Sequence, residues 1–526
     1  MSSSKDHTKE YDIKLSDLEK GSSSNKDEEL YFGEQSEGFQ NTTTSKKLSF
    51  INSISHLIRA ETKGIERIEE HERNLKETVL TAASMWFSAN MVIAAMALGM
   101  LGAKMGLSFW ESVLTIIFFN MLGLIPVAFF SMFGPEFGLR QMILSRFLVG
   151  DYGSRLFAFI TAIACIGWGA VNIMVSAQLL NMVNQPHELP PWAGCLILVI
   201  MTIVVSMFGY NVIHFYEKWS WIPNVVVFFV FIARIKISGN FDAGEFHSGE
   251  ATAGAVLSFG GAIFGFATGW TTYAADYTVF MRKDYPKWKI FWGLVIGLIT
   301  PLLFTMIIGA AAITGIQKSD VWAEYYEKHQ NGGLMFAILA VDSLGGFGQF
   351  CAVILALSTV ANNIPNMYTI ALSTQAFWSG FAKVPRIVWT IVGNFLTLAI
   401  CIPGYYKFED VMENFMNMIG YYLAIYQAMT LSEHFFYKKG FKGYDIEGYN
   451  DKSRYPIGIA AIVGFLFGVL GTYLGIDQNW GVGPIAKLIN ADSSLPGGDI
   501  GFELAFGFAF IGFNIVRPLE IKYFGR

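Results

Sequence analysis

Charge is scarce in this sequence. Only 15% of its 526 residues are Asp, Glu, Lys or Arg, against roughly 25% in an average globular protein. It has no basic tract and no Gly-rich phosphate loop of the Walker type, which argues against nucleic acid as a partner and against direct drive by ATP. The four cysteines, Cys165, Cys195, Cys351 and Cys401, sit far apart inside apolar runs. They read as small buried hydrophobes, with neither a disulfide framework nor a zinc site implied. There is no His-based metal motif, no pair of catalytic acids within one apolar run and no activated nucleophile, so an intramembrane enzyme is the weakest reading. No cofactor is expected. The start also lacks a continuous apolar core, so it does not read as a cleaved signal peptide.

What the chain has is apolar residues, 53% of the total, bunched into runs long enough to cross a bilayer as helices. Run length gives about twelve spans, with approximate limits 79–103, 108–133, 153–182, 191–209, 213–235, 252–278, 289–315, 347–376, 385–402, 411–436, 455–476 and 501–517. The expected fold is therefore an all-α membrane protein in contact with lipid. Residues 1–78 are expected to form a tail, mostly disordered through Lys47. Residues 48–78 suggest an amphipathic helix. The sequon Asn41-Thr42-Thr43 falls in the tail. Residues 518–526 read as a short C-terminal tail. Loop charges place both termini in the cytosol. The even-numbered loops carry Arg140, Arg146, Lys218, Arg282, Lys283, Lys383, Arg386 and the Lys438–Arg454 cluster, while Asp320, Glu324 and Glu327 fall on the other side. The stretch Asp320–His329 reads as a helix outside the membrane, either a lid or a structured connector.

Two spans are interrupted. The first contains Ser84-Met85-Trp86-Phe87-Ser88-Ala89-Asn90, and the sixth contains Gly260-Gly261, Gly265, Gly269-Trp270-Thr271-Thr272 and Asp276. Gly lowers helix propensity, and Ser or Thr hydroxyls replace lost backbone bonds. Interruptions at matching places in two halves point to the binding site of an inverted-repeat transporter. Here they imply five spans (79–235), five more entering from the opposite face (252–436), and two extra helices (455–517). The alternative is close helix packing through Gly261, Gly265 and Gly269.

Polar groups gather in these and two other spans. Trp168 and Asn172 are four apart on the third, hence on one face. The eighth carries Ser358-Thr359-Val360-Ala361-Asn362-Asn363-Ile364-Pro365-Asn366, three carboxamides and a proline in nine residues. Two indoles can sandwich a flat ring, at about 1–3 kcal/mol per stacked base. A carboxamide offers an acceptor beside donors, which suits the edge of a neutral heterocycle. The alternatives are an interfacial aromatic belt for the indoles and interhelical hydrogen bonding for the amides. Two acids, Glu217 and Asp276, are candidates for proton coupling or gating, or else for juxtamembrane ion pairs with Lys218 or Arg282.

Three stretches resemble the fungal purine–cytosine permeases of the nucleobase–cation symporter-1 family. They are Gly134-Pro135-Glu136-Phe137-Gly138-Leu139-Arg140-Gln141-Met142, Gly269-Trp270 through Ala275-Asp276-Tyr277-Thr278, and Ala361-Asn362-Asn363-Ile364-Pro365-Asn366-Met367-Tyr368. The resemblance implies an inverted five-helix-repeat transporter of twelve helices. It also implies proton-coupled uptake of a nucleobase, such as cytosine, adenine, guanine or hypoxanthine, across the plasma membrane. It places the base between Trp168 and Trp270, near Gly269 and Thr271, with Asn172, Asn363, Asn366 and Ser88 as polar contacts. Glu217 matches a proton-linked acid. The cation site of sodium-coupled relatives maps to Ala89, Ser358 and Thr359. Other readings are a vitamin B6 or nucleoside transporter of the same fold, and a membrane sensor that binds without transporting.

Overall fold

The computed structural model describes residues 65–73, 77–184, 187–207, 218–378, 380–489 and 498–526. Glu217, the sequon and the tail before residue 65 lie outside the described residues. Each of the twelve expected positions carries an apolar helix. Span 1 is the bent pair Val79–Asn90 and Ile93–Lys104, span 2 is Phe109–Ser131, and span 3 lies within Gln141–Asn181. Spans 4 to 7 are Pro191–Met207, Trp221–Ser238, Glu250–Thr268 and Lys287–Ile313. Spans 8 to 12 are Gly346–Phe377, Arg386–Gly404, Phe408–Ser432, Ile459–Gly475 and Gly501–Phe524.

Two boundaries depart from expectation. The helix carrying span 3 starts at Gln141, well before the expected limit, and turns at Gly150, whose φ of 76° suits glycine. Span 12 runs on to Phe524, so residues 518–524 are helix, not tail. The charges that looked like a tail are neutralised within the fold. Arg517 forms a bidentate pair with Glu433 at 2.7 and 2.8 Å. Glu520 accepts from the backbone of Gly458 and Ala460 at 3.0 and 2.7 Å, tying the ends of spans 11 and 12 together.

The first span bends by 56° at Met91–Val92. The backbone groups freed there are taken up by side chains of other spans, as a break in lipid demands. Ser358 Oγ accepts from Ile93 N at 3.1 Å, Asn362 Nδ2 donates to Ala89 O at 2.5 Å, and Asn224 Nδ2 donates to Met91 O at 3.1 Å. Span 6 gives way to a 3-10 stretch, Thr271–Tyr277. Thr271 Oγ1 donates to Thr268 O at 2.7 Å, replacing a lost helical bond. Its glycines divide the work. Gly260 abuts the Phe119 ring and Gly265 the backbone of Met416, whereas Gly269 lies at the break itself.

The face carrying residues 65–73 is closed by packing. Ile68 is fully buried and bonds Gly138 through its backbone at 2.8 Å. Arg73 donates to the carbonyls of Pro135 and Met281. On the opposite face the helix Asp320–Leu339 breaks at Gln330 (φ 51°). The expected helix Asp320–His329 forms its first half, and past the break Asn331–Leu339 is buried throughout. Its first half reaches span 10 through Tyr326, whose hydroxyl donates to Glu409 at 2.7 Å. Lys104 at the end of span 1 meets Asp410 at 2.7 Å, with Glu409 and Glu413 each at 3.9 Å.

Spans 1 and 7 approach through a reciprocal pair of glycines. A side chain on Gly99 would run into the Met306 carbonyl, and one on Gly309 into the Met96 carbonyl. Backbone cannot yield as a side chain does, so Gly309→Val should destabilise the protein by about 1–3 kcal/mol. The check is a lower thermal unfolding midpoint in detergent. Gly507→Ala, which has open space around it, should leave the midpoint unchanged.

Candidate functional site

The two breaks and the amide-rich span 8 meet in the middle of the bundle. Trp168 of span 3 and Trp270, just past the break of span 6, lie stacked, with centroids 6.4 Å apart and planes 17° from parallel. Both are buried, at 3% and 2% exposed, which removes them from any aromatic belt. A flat ring held between two others needs about 7 Å at ordinary carbon contact distances. The centroid separation is the most the two planes can be apart, so the indoles must part to admit one. Their outer sides are braced. Trp168 meets Phe266 and Phe415 edge-on at 5.1 and 5.7 Å, and Trp270 meets Trp86 edge-on at 4.8 Å. Trp270 Nε1 donates to Asn90 Oδ1 at 3.3 Å.

Beside the indoles runs a chain of carboxamides. Asn172 Nδ2 donates to Asn362 Oδ1 at 2.7 Å and to Asn363 Oδ1 at 2.9 Å. Asn366 Nδ2 donates to Asn362 O at 3.1 Å, and Asn366 Oδ1 accepts from the Tyr273 hydroxyl at 3.1 Å. All four amides are at most 1% exposed. After these bonds are made, Asn172 Oδ1, Asn363 Nδ2, Trp168 Nε1 and Ser88 Oγ have no protein partner. An unpaired buried polar atom costs about 1–3 kcal/mol. These four lie on spans 1, 3 and 8, and together they offer the mix of donors and acceptors that a ring bearing both can satisfy. None of these side chains carries a formal charge, which favours a neutral cargo.

The remaining expected site residues fall into three groups. Thr271 is turned to span 10, where Gln427 Nε2 donates to its hydroxyl at 3.2 Å. Ala89, Ser358 and Thr359 are gathered at the span 1 break but engaged by protein. Asn362 holds the Ala89 carbonyl, Ile93 N donates to Ser358, and Thr359 pairs with Ser176 at 2.8 Å. Asp276 is away from the slot. Its carboxylate accepts from Gln141 N at 2.7 Å, and its carbonyl accepts from Arg140 at 2.8 Å. It thus caps the helix that leads into span 3. The ion pair expected with Arg282 is replaced, since Arg282 meets Asp284 at 3.2 Å. Sequence reasoning missed Asn90, Tyr273 and Gln427 as neighbours of the site. Gln427 left a trace, a carboxamide within an apolar run, but Tyr273 left none.

Residues 67–493 match the family described as permeases for cytosine/purines, uracil, thiamine and allantoin. The chain belongs to this family. It is 55% identical to the purine-cytosine permease FCY2 of Saccharomyces cerevisiae over 98% of this chain and 95% of that one. It is 46% identical to the purine-cytosine permease fcyB of Emericella nidulans over 90% and 92%. Relatives of this kind are named permeases, so the chain is a multi-pass membrane transporter and not an enzyme. Its fold is shared with the nucleobase-cation-symport-1 family transporter Mhp1, solved in a closed conformation with bromovinylhydantoin bound. That likeness has a TM-score of 0.64 at 13% identity and covers 88% of this chain and 96% of Mhp1.

The slot depends on a backbone without a side chain at Gly269. A Cβ there would stand 2.5 Å from Cζ2 of Trp168. Gly269→Ala should push the indole out of register and weaken apparent cargo affinity by about tenfold or more. Uptake kinetics should show the change in KM while surface abundance stays constant.

Proposed function

We propose that this permease imports nucleobases, cytosine and the purines adenine, guanine and hypoxanthine, by proton-coupled alternating access across the plasma membrane. The observation that carries the reading is the pair of near-parallel buried indoles, 6.4 Å apart, flanked by amide atoms with no protein partner. Stacking favours any flat ring, and the amides select one with donors and acceptors on its edge. The relatives FCY2 and fcyB are named for the same cargo class, purines and cytosine. The face carrying residues 65–73 is the cytosolic one in this reading, in keeping with the loop charges. Spans 1–5 and 6–10 are its two inverted repeats, with spans 11 and 12 added.

Coupling to a proton is supported by the chemistry at the span 1 break. Ala89, Ser358 and Thr359, the set that would surround a cation, are bonded to groups of the chain itself. One elementary charge gains about 2.3 kcal/mol per 100 mV, enough for accumulation of roughly fifty-fold.

Energised vesicles give the test. Labelled cytosine should accumulate, unlabelled adenine should compete better than pyridoxine or nucleosides, and a protonophore should stop accumulation. Replacing external sodium should not. A strict sodium requirement would overturn the coupling, and preference for pyridoxine would overturn the cargo. Binding without accumulation would make the protein a sensor. Asn363→Ala should abolish uptake at normal surface abundance, because it removes a donor of the recognition edge and a partner of Asn172.

A further inference from the structure

Asn224 of span 5 lies away from the indole slot, yet it reaches the backbone of span 1 at its break. It is 2% exposed, and its Nδ2 donates to Met91 O at 3.1 Å. Met91 and Val92 form the bend, with φ −84° and ψ 58° at the first and φ −134° and ψ 157° at the second. The half-helix Val79–Asn90 therefore ends inside the bundle and turns the negative end of its dipole toward this point.

Freed carbonyls at such a half-helix end are cation ligands in membrane transporters. The oxygens at this break do not fit that task. Ser358 Oγ accepts from Ile93 N at 3.1 Å and donates to Leu355 O at 2.6 Å. Thr359 Oγ1 pairs with Ser176 at 2.8 Å and donates to Ala356 O at 3.3 Å. Ala89 O accepts from Asn362 Nδ2 at 2.5 Å, as Met91 O does from Asn224. A carbonyl oxygen only accepts, so both carboxamides must present their amino ends to it. Each carbonyl keeps a second lone pair. A cation there would stand beside an N–H already donating to the same oxygen, positive against positive.

We propose that the amino groups of Asn224 and Asn362 stand in place of a bound cation at the span 1 break, and that Asn224 thereby keeps the transporter independent of sodium. This rests on the coupling reading above and names the atoms that make a second ion unnecessary. Asn362 also belongs to the amide edge beside the indoles, so Asn224 gives the cleaner test. Asn224→Asp keeps the shape of the side chain and exchanges the amino group for an oxygen. Once that carboxyl is ionised, Met91 O faces a second acceptor, and a cation between them satisfies both.

The experiment compares thermal unfolding midpoints of wild-type and Asn224→Asp proteins in detergent at alkaline pH, in sodium chloride and in choline chloride of equal concentration. Sodium should raise the Asn224→Asp midpoint by about 2 °C or more, because an ion that binds only the folded state stabilises it. The wild-type midpoint should not move. In vesicles under the same two salts, sodium should raise cytosine uptake by Asn224→Asp about tenfold over choline. A midpoint or an uptake that ignores sodium in Asn224→Asp would overturn the proposal, and so would a wild-type midpoint that rises with sodium. Asn224→Ala uncovers the same carbonyl without adding charge. It serves where the Asp variant does not fold, and its midpoint should rise with sodium in the same direction. Failure of both variants to fold with sodium present would make Asn224 a folding element and also overturn the proposal. Protonophore sensitivity of wild-type uptake is a separate arm, and its loss would count against proton coupling and not against Asn224.

Discussion

Inside a membrane a backbone break must find its hydrogen bonds within the protein, and this requirement organises the whole centre of the molecule. The bend at Met91–Val92 leaves Ala89 O, Met91 O and Ile93 N outside the helical ladder. Spans 5 and 8 reach in with Asn224, Asn362 and Ser358 to satisfy them. Asn362 then has an oxygen to spare, and Asn172 of span 3 donates to it. Asn172 also bonds Asn363, and Asn366 hangs from the Asn362 carbonyl. The amide edge beside the indoles is thus an extension of the repair of a broken helix. A single carboxamide, Asn362, joins the structural and recognition halves of that network.

The same economy explains why the centre is neutral. A formal charge at this depth would need its own counter-charge, and a buried pair gains little over an apolar equivalent. The chain keeps its buried ions near the ends of the spans, as in Glu433–Arg517–Glu520. At the middle it uses amides, hydroxyls and indoles, whose donors and acceptors select a ring edge without attracting ions. On the proposed reading the aromatic faces grip any flat ring and the amides discriminate among them, two tasks carried by separate residues.

Much of this was legible in the sequence because its cause is local. Runs of apolar residues placed the helices, and the Ser-Met-Trp-Phe-Ser-Ala-Asn and Gly-Trp-Thr-Thr clusters marked where two would fail. Trp168, four positions before Asn172, and Trp270, directly before Thr271-Thr272, stood out at mid-span. What stayed hidden depends on partners remote in the chain. Tyr273 finds Asn366 across 93 positions, and Gln427 finds Thr271 across 156. A tyrosine followed by two alanines gives no hint of that. The buried half-helix Asn331–Leu339 was too short and too glycine-rich to read as a membrane element. It enters because Gly332 fits against Gln178, where even a Cβ would come within 2.5 Å of the Gln178 Cβ. Span 12 looked finished at Arg517 only because its counter-charge, Glu433, lies just past the end of span 10.

The slot is shut from both faces, but by contacts of unequal strength. On the face opposite residues 65–73, Lys104 and Asp410 form an ion pair that is 33% and 51% exposed. Exposed pairs of this kind contribute about 0–1 kcal/mol. On the face carrying residues 65–73, Arg140, Asp276 and Arg73 are all buried, at 2%, 5% and 6% exposed, with Ile68 at 0%. Opening there means withdrawing guanidinium groups from backbone carbonyls and exposing apolar surface together, each of which costs more than a solvated ion pair. The Lys104–Asp410 pair is therefore the weakest of these closures, beside the buried half-helix Asn331–Leu339 on the same face. A cargo that stacks between the indoles and fills the open amide atoms adds stabilisation at the centre without touching either closure.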